Sequence, residues 1–396
     1  MNFAQCLPCF FLSVQLVRGR KFCHFLVRAL ACTLQPSGAD RKVRSQTGCP
    51  DGWLKREGRE EIFMNLVVLD GYTLNPGDNP WTPLEELGSF TVYDRTQPGD
   101  VVQRALPAEV LITNKTRLTA EILDQLPGLR CIGILATGYD VVDVAHAGRL
   151  GIPVLNVVNY GAEAVAQQTM ALLLELCRWP ALHDQAVRAG EWNSCPDFCF
   201  WKTPQVELSG KVMGILGFGT IGRRVGALAH AFGMQVLAAS ARRSGAELSA
   251  SATDPGYPVR YADLGDLLKE ADVLSLHCPL SEATRHIINK ENLSRMKQGA
   301  FLLNLARGPL LDEEAVAEAL KSGRIGGLGV DVVSTEPITR DNPLLSSPRT
   351  VITPHIAWAS LPARQNIIRI LADNIRAWQE GTLRSVVNAQ WLAAQR

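Results

Sequence analysis

The sequence lacks an excess of charge of either sign: 40 lysines and arginines stand against 39 aspartates and glutamates in 396 residues, a formal net charge of +1. A chain this close to neutral has no footprint for a polyanion, so nucleic acid and anionic membrane surfaces are not expected partners. Apolar runs approaching the ~20 residues that cross a bilayer are missing. The apolar stretches near the start are broken by Arg18, Arg20, Lys21 and Arg28. Metal-ligand spacing is missing too. Of ten cysteines, Cys6, Cys9, Cys23, Cys32 and Cys49 crowd the first 63 residues, and only Cys195 and Cys199 lie close together in the rest. No second pair or histidine cluster matches them, which excludes a zinc site and a disulfide framework and leaves no metal expected. Reduced thiols imply a cytoplasmic protein. Internal repeats and low-complexity tracts are absent.

The first segment stands apart. No acid occurs before Asp40, a composition that imitates a transit or signal peptide, and Asp40 to Phe63 is polar and aperiodic. Arg56-Glu57-Gly58-Arg59-Glu60-Glu61 can all be encoded by purine-rich codons, as a ribosome-binding site would be, and Met64 follows directly. Residues 1–63 are therefore expected to be an N-terminal extension, disordered or a mis-assigned start.

Over the whole chain, 46% hydrophobic and 20% charged composition describes an ordinary globular protein long enough for two domains. Apolar runs at Asn65–Asp70, Val110–Thr113, Cys131–Leu135, Val212–Leu216, Gln235–Ala239, Val273–Leu276, Ala300–Asn304 and Gly326–Asp331 read as strands. Helical stretches separate most of them, which predicts an α/β fold built on parallel sheets. Asp312 is placed to cap one helix that stops at Gly323. Ser360 is placed to cap another, with Pro362 in its first turn and Gly381 past its end.

The strand Val212–Leu216 runs straight into Gly217-Phe218-Gly219-Thr220-Ile221-Gly222, and a helix follows. Gly217 permits the tight turn, Gly219 lets backbone approach a pyrophosphate, and Gly222 lets the helix close on the strand. This order predicts dinucleotide binding. At the end of the next strand, where an NAD site usually places an acid for the ribose 2′-hydroxyl, the chain has Ser240-Ala241-Arg242-Arg243. Ser240 and the two guanidinium groups suit a 2′-phosphate, which favours NADP(H), with NAD(H) possible.

Three later segments place a polar residue after an apolar run: Arg307 in NLARGPLLDE, Glu336 in GVDVVSTEP and His355 in TPHIAWAS. Reducing a 2-oxo acid needs a cation for its carboxylate and carbonyl, a proton donor for the developing alkoxide, and a group that holds the donor protonated. The three residues supply one of each.

With GFGTIGR and the HCPLSEAT segment at 277–284, these motifs make the chain from about Met64 to Asn388 resemble the D-isomer-specific 2-hydroxyacid dehydrogenases. Within them it looks most similar to the glycerate dehydrogenase, or hydroxypyruvate (glyoxylate) reductase, subgroup. That likeness rests on VVLDGYTLNPGD at 67–78, LITNKT at 111–116, ILATGYDVVD at 134–143 and PDFCFW at 196–201. The resemblance implies two Rossmann-like, doubly wound domains with the active site in the cleft between them. A discontinuous flavodoxin-like substrate domain would span 64–161 and 358–391, and a dinucleotide domain 162–357, with helix Ala162–Trp179 as one crossing point. It implies that His355 exchanges the proton, Glu336 orients it, and Arg307 pairs with the substrate carboxylate beside the amides of Thr137 and Gly138. Cys278 and Pro279 would border the cofactor, and Asp331 would sit near the nicotinamide amide. Family members are usually homodimers. The acid-free segment at Ser240 departs from NADH-using relatives and resembles NADPH-preferring reductases, and Gln168 stands where many relatives have histidine. Glu336 rather than glutamine argues against a formate dehydrogenase. Two alternatives stay open: a reductase for another 2-oxo acid, and a non-turnover NAD(H)-sensing scaffold like the C-terminal-binding-protein corepressors.

Overall fold

A computed structural model describes residues 64–250 and 253–392; what the sequence suggests for residues 1–63 lies outside the described residues. Two wholly parallel sheets organise the chain. The first contains β1 (Met64–Val68), β2 (Gly88–Val92), β3 (Val110–Thr113), β4 (Cys131–Ile134) and β5 (Val154–Leu155) in the order β2-β1-β3-β4-β5. The second contains β6 (Val212–Leu216), β7 (Gln235–Ala239), β8 (Val259–Tyr261), β9 (Val273–Leu276), β10 (Ala300–Asn304), β11 (Ile325–Val330) and β12 (Thr350–Ile352) in the order β12-β11-β10-β9-β6-β7-β8. The first order is that of a flavodoxin-like sheet, and the second is a Rossmann sheet with one added strand.

Alternation along each strand sends side chains to both faces, and both faces are covered, which is why these strands read as continuous apolar runs. On the smaller sheet, Leu66, Val68, Val110 and Ile112 pack with Ile367, Ile368, Leu371 and Ile375 of helix Leu361–Gln379. The opposite face joins Val67, Leu111 and Ile132 to Val101, Leu123 and Ala147 from short helices. On the larger sheet, Met213, Ile215 and Leu303 meet Leu172, Leu173 and Leu176 of helix Ala162–Arg178. Its other face joins Leu274 and Leu302 to Leu267 and Val316. The last long helix thus returns the chain to the first sheet. Arg364 fixes that return: it is 7% exposed and grips both oxygens of Asp78 at 2.7 Å, with Leu74 O at 3.0 Å.

Local punctuation follows the sequence with one correction. Asp312 Oδ1 accepts Ala315 N at 3.2 Å at the start of helix Glu313–Lys321, and Gly323 follows it at φ +71°. Ser360 occupies the N-cap of helix Leu361–Gln379, yet its side chain makes no capping bond. Pro362 removes one of the amides such a cap would accept from.

Candidate active site

The dinucleotide turn has the shape its glycines imply. Gly217 sits at φ +100°, and a Cβ there would lie 2.5 Å from the amide nitrogen of Cys278. The β6 and β9 exits therefore touch at the point where strand order reverses, bringing Cys278 to the crevice, with Pro279 next in the chain. Gly222 is buried, and a Cβ on it would lie 2.3 Å from Gly217 O. Gly219 is the opposite case: a Cβ there would meet nothing within 4 Å. It is the N-cap of helix Thr220–Ala231 and brings no side chain to the first-turn amides, with Thr220 exposed beside it and Ile221 next along the helix. Open space in front of uncapped helix amides fits a diphosphate. Beyond β7, Arg242 N donates to Ser240 Oγ at 3.2 Å, and Arg242 and Arg243 are exposed. One acid missed in the sequence lies near them. Glu247 is locked to Ser244 in a capping box, with Ser244 N to Glu247 Oε2 at 2.7 Å and Glu247 N to Ser244 Oγ at 3.3 Å. Those bonds to Ser244, and the charge of Arg243, hold its carboxyl below the usual range.

His355 and Glu336 are brought together from different strand ends: Nδ1 of His355 lies 2.6 Å from Oε2 of Glu336. Burial would raise the Glu336 carboxyl, but the hydrogen bond and charge of His355, the Val333 amide and Lys115 outweigh it and hold Glu336 below its ordinary value. His355 has φ +54°, a conformation costing a residue with a Cβ about 1–2 kcal/mol. Asp331 offsets that cost. Its carbonyl accepts His355 N at 2.8 Å, Oδ1 accepts Thr353 Oγ1 at 2.5 Å and Ile356 N at 3.0 Å, and Oδ2 accepts Ala357 N at 2.8 Å. Where the family likeness puts Asp331 near a nicotinamide, the structure turns both oxygens to this bend and leaves the residue 1% exposed. Gln168 Nε2 reaches Thr353 Oγ1 at 3.4 Å from helix Ala162–Arg178.

Arg307 projects from the β10 exit. Asn304 shapes that exit through Nδ2 to Arg307 O at 2.8 Å, and Arg307 Nη1 donates to Ala306 O at 2.7 Å. Its other nitrogen lies against the smaller sheet, 3.3 Å from where a Cβ on Gly138 would stand. Thr137 is pinned by Oγ1 to Val157 O at 2.7 Å and by Asn156 Nδ2 to its carbonyl at 2.8 Å. Burial raises the Tyr160 hydroxyl, and the charge of Arg307 acts the other way. The structure thus places Arg307 beside Gly138 and His355 on Glu336, and Gly308 packed against Val333 links the segments that bear the two pairs. Lys115, Tyr160 and the brace Asp70 were not singled out in the sequence. Only the LITNKT and VVLDGYTLNPGD motifs pointed at two of them.

Comparison with known proteins identifies the family. The family profile "D-isomer specific 2-hydroxyacid dehydrogenase, NAD binding domain" matches residues 170–357. A protein named hydroxypyruvate reductase from Blautia hydrogenotrophica is 46% identical over 328 residues, covering 82% of this chain and 100% of that one. One named glycerate dehydrogenase from Methylorubrum extorquens is 38% identical over 303 residues, covering 76% and 92%. The solved structure of acyclic imino acid reductase Bsp5, in complex with NADPH and D-Arg, superposes with a TM-score of 0.67 at 28% identity, covering 82% of this chain and 100% of its own. An NAD(P)-type dinucleotide is the cofactor class, and a small hydroxy or oxo acid is the substrate class. Among the described residues no helix is long and apolar enough to cross a membrane. The chain belongs to the D-isomer-specific 2-hydroxyacid dehydrogenase family and is an oxidoreductase.

Proposed function

We propose that the protein reduces hydroxypyruvate or glyoxylate to the D-2-hydroxy acid, with NADPH favoured over NADH. One set of contacts supports the reading: His355 Nδ1 lies 2.6 Å from Glu336 Oε2, the Arg307 guanidinium stands beside Gly138, and Gly308 packs on Val333 between them. The names of the relatives from Blautia and Methylorubrum support the choice of acid. Residues 64–161 and 358–391 serve as the substrate lobe and 162–357 as the dinucleotide lobe.

Arg307 takes the substrate carboxylate with the amides of Thr137 and Gly138, which find no acceptor among the described residues. The same guanidinium polarises the carbonyl. His355 Nδ1 is occupied by Glu336, so Nε2 gives the proton to the oxygen as it becomes an alkoxide. Glu336, held ionised, keeps the ring in that orientation. The Gly217–Gly222 turn would hold the dinucleotide, with Ser240, Arg242 and Arg243 at its 2′-phosphate, and when bound it would supply the hydride. A homodimer is supported by the segment after residue 190, which exposes Trp192 at 51%, Phe198 at 89% and Trp201 at 68%.

Steady-state kinetics of two variants test the roles. His355→Ala is expected to lower kcat by about 100-fold or more with little change in cofactor affinity. Arg307→Ala is expected to raise KM and lower kcat together, because a charged contact is lost in both ground and transition states. Near-normal turnover by His355→Ala would remove His355 as the proton donor.

A further inference from the structure

The exit of β3 lies where strand order reverses in the smaller sheet, since β1 has β2 on one side and β3 on the other. Open parallel sheets take ligands in the crevice outside the strand ends at such a reversal. Asp70 fixes the loop there. Its Oδ1 accepts Asn114 N at 2.8 Å and Thr113 Oγ1 at 3.3 Å, and its Oδ2 accepts Lys115 N at 2.5 Å and Thr116 N at 2.8 Å. Behind it Asn114, 4% exposed, donates Nδ2 to Thr73 Oγ1 at 3.0 Å. The backbone at Lys115 is therefore held while its side chain is exposed. Among the described residues its ammonium has no ion-pair or hydrogen-bond partner.

The fixed backbone sets where this exposed cation stands. Thr113 pairs with Ile134 in register, so the loops bearing Lys115 and Thr137–Gly138 leave the sheet side by side. The second loop meets Arg307. The Lys115 charge reaches the facing lobe, where, against the burial that would raise it, it helps His355 hold the Glu336 carboxyl low. The carbonyl carbon of a 2-oxo acid has three substituents. The carboxylate belongs to Arg307 and the oxygen to His355, which leaves the third for the wall formed by the β3 exit.

Resting on the reading of this cleft as a 2-oxo acid reductase, we infer that Lys115 is a specificity-determining residue that reads the substituent on the carbonyl carbon and, among acids that have a C3, favours those whose C3 bears an oxygen. An ammonium has three donors and no acceptor. It holds the oxygen of a hydroxymethyl group and gains nothing from a methyl group.

The test compares kcat/KM for hydroxypyruvate, which carries the hydroxymethyl group, and pyruvate, which carries a methyl group. Lys115→Met keeps the stem and removes the donors. It is expected to lower the hydroxypyruvate value about tenfold or more while leaving pyruvate within about threefold, and Lys115→Arg is expected to retain most of the preference. A parallel change on both acids, or none on either, overturns the role of Lys115 and leaves the reductase reading standing. Turnover of neither acid by the wild-type enzyme overturns both.

Discussion

At the scale of single residues, the site is made of side chains whose neighbours give them little choice of place. His355 is bent to φ +54° and held by the Asp331 carbonyl at its amide and by Glu336 at its ring. The residue types Arg307, Glu336 and His355 were legible in the sequence because each follows an apolar strand and together they complete one reaction. The braces were not. Asp70 and Asp331 act through backbone amides, and no periodicity marks a carboxylate that organises a bend. His277 makes a different use of burial. Its imidazole is enclosed, although the residue keeps some exposure, and burial pushes its pKa down to about 4 from 6.5. Its Nε2 lies 2.8 Å from Ser275 Oγ. The unfolded chain binds this proton more readily than the folded one, so stability is full above pH 6.5 and is lost as pH falls from 6.5 toward 4. That loss amounts to about 3 kcal/mol at most. Urea unfolding of the wild type and His277→Gln at neutral and acid pH checks it: the variant is expected to lose less stability between the two, and an equal loss contradicts the assignment.

At the scale of elements, the strands named from sequence are the interior ones. Those missed, β2, β5, β8 and β12, occupy the edges of the two sheets. Interior strands are covered on both faces and read as apolar runs. Edge strands are shorter or only partly buried: β5 has two residues, and β12 is partly exposed throughout. Hydrogen bonding to a neighbour makes them strands, and the pattern alone does not announce it. Close approach between elements is sharper than sequence suggests at Gly308. A Cβ there would lie 1.9 Å from the carbonyl carbon of Val333, so the segments bearing Arg307 and Glu336 meet through this glycine. Gly308→Ala must push them apart. It is expected to cost about 1–3 kcal/mol by chemical denaturation and to lower kcat as well. A variant with wild-type stability and turnover contradicts the packing.

At the scale of the whole molecule, two sheets point their carboxyl edges at a shared cleft, and helix Leu361–Gln379 closes the path of the chain. The α/β class and the dinucleotide turn were readable from the order of runs and glycines. The charge effect of Lys115 on Glu336 was not, because the two lie far apart in sequence and only the fold brings their segments near. The exposed aromatics Trp192, Phe198 and Trp201 belong to this scale too. If they are covered by a second copy, Phe198→Ser with Trp201→Ser shifts sedimentation from dimer toward monomer. A monomeric wild type contradicts that assembly.

The central claim is that the cleft reduces a small 2-oxo acid with a dinucleotide carrying a 2′-phosphate. Its most direct test is the initial rate with hydroxypyruvate, glyoxylate, pyruvate and phosphohydroxypyruvate, each with NADPH and with NADH. The expected result is fast NADPH oxidation with hydroxypyruvate or glyoxylate and slower rates with NADH. Activity with NADH alone contradicts the role given to Ser240, Arg242 and Arg243, and tight cofactor binding without turnover of any of the four acids contradicts the claim itself.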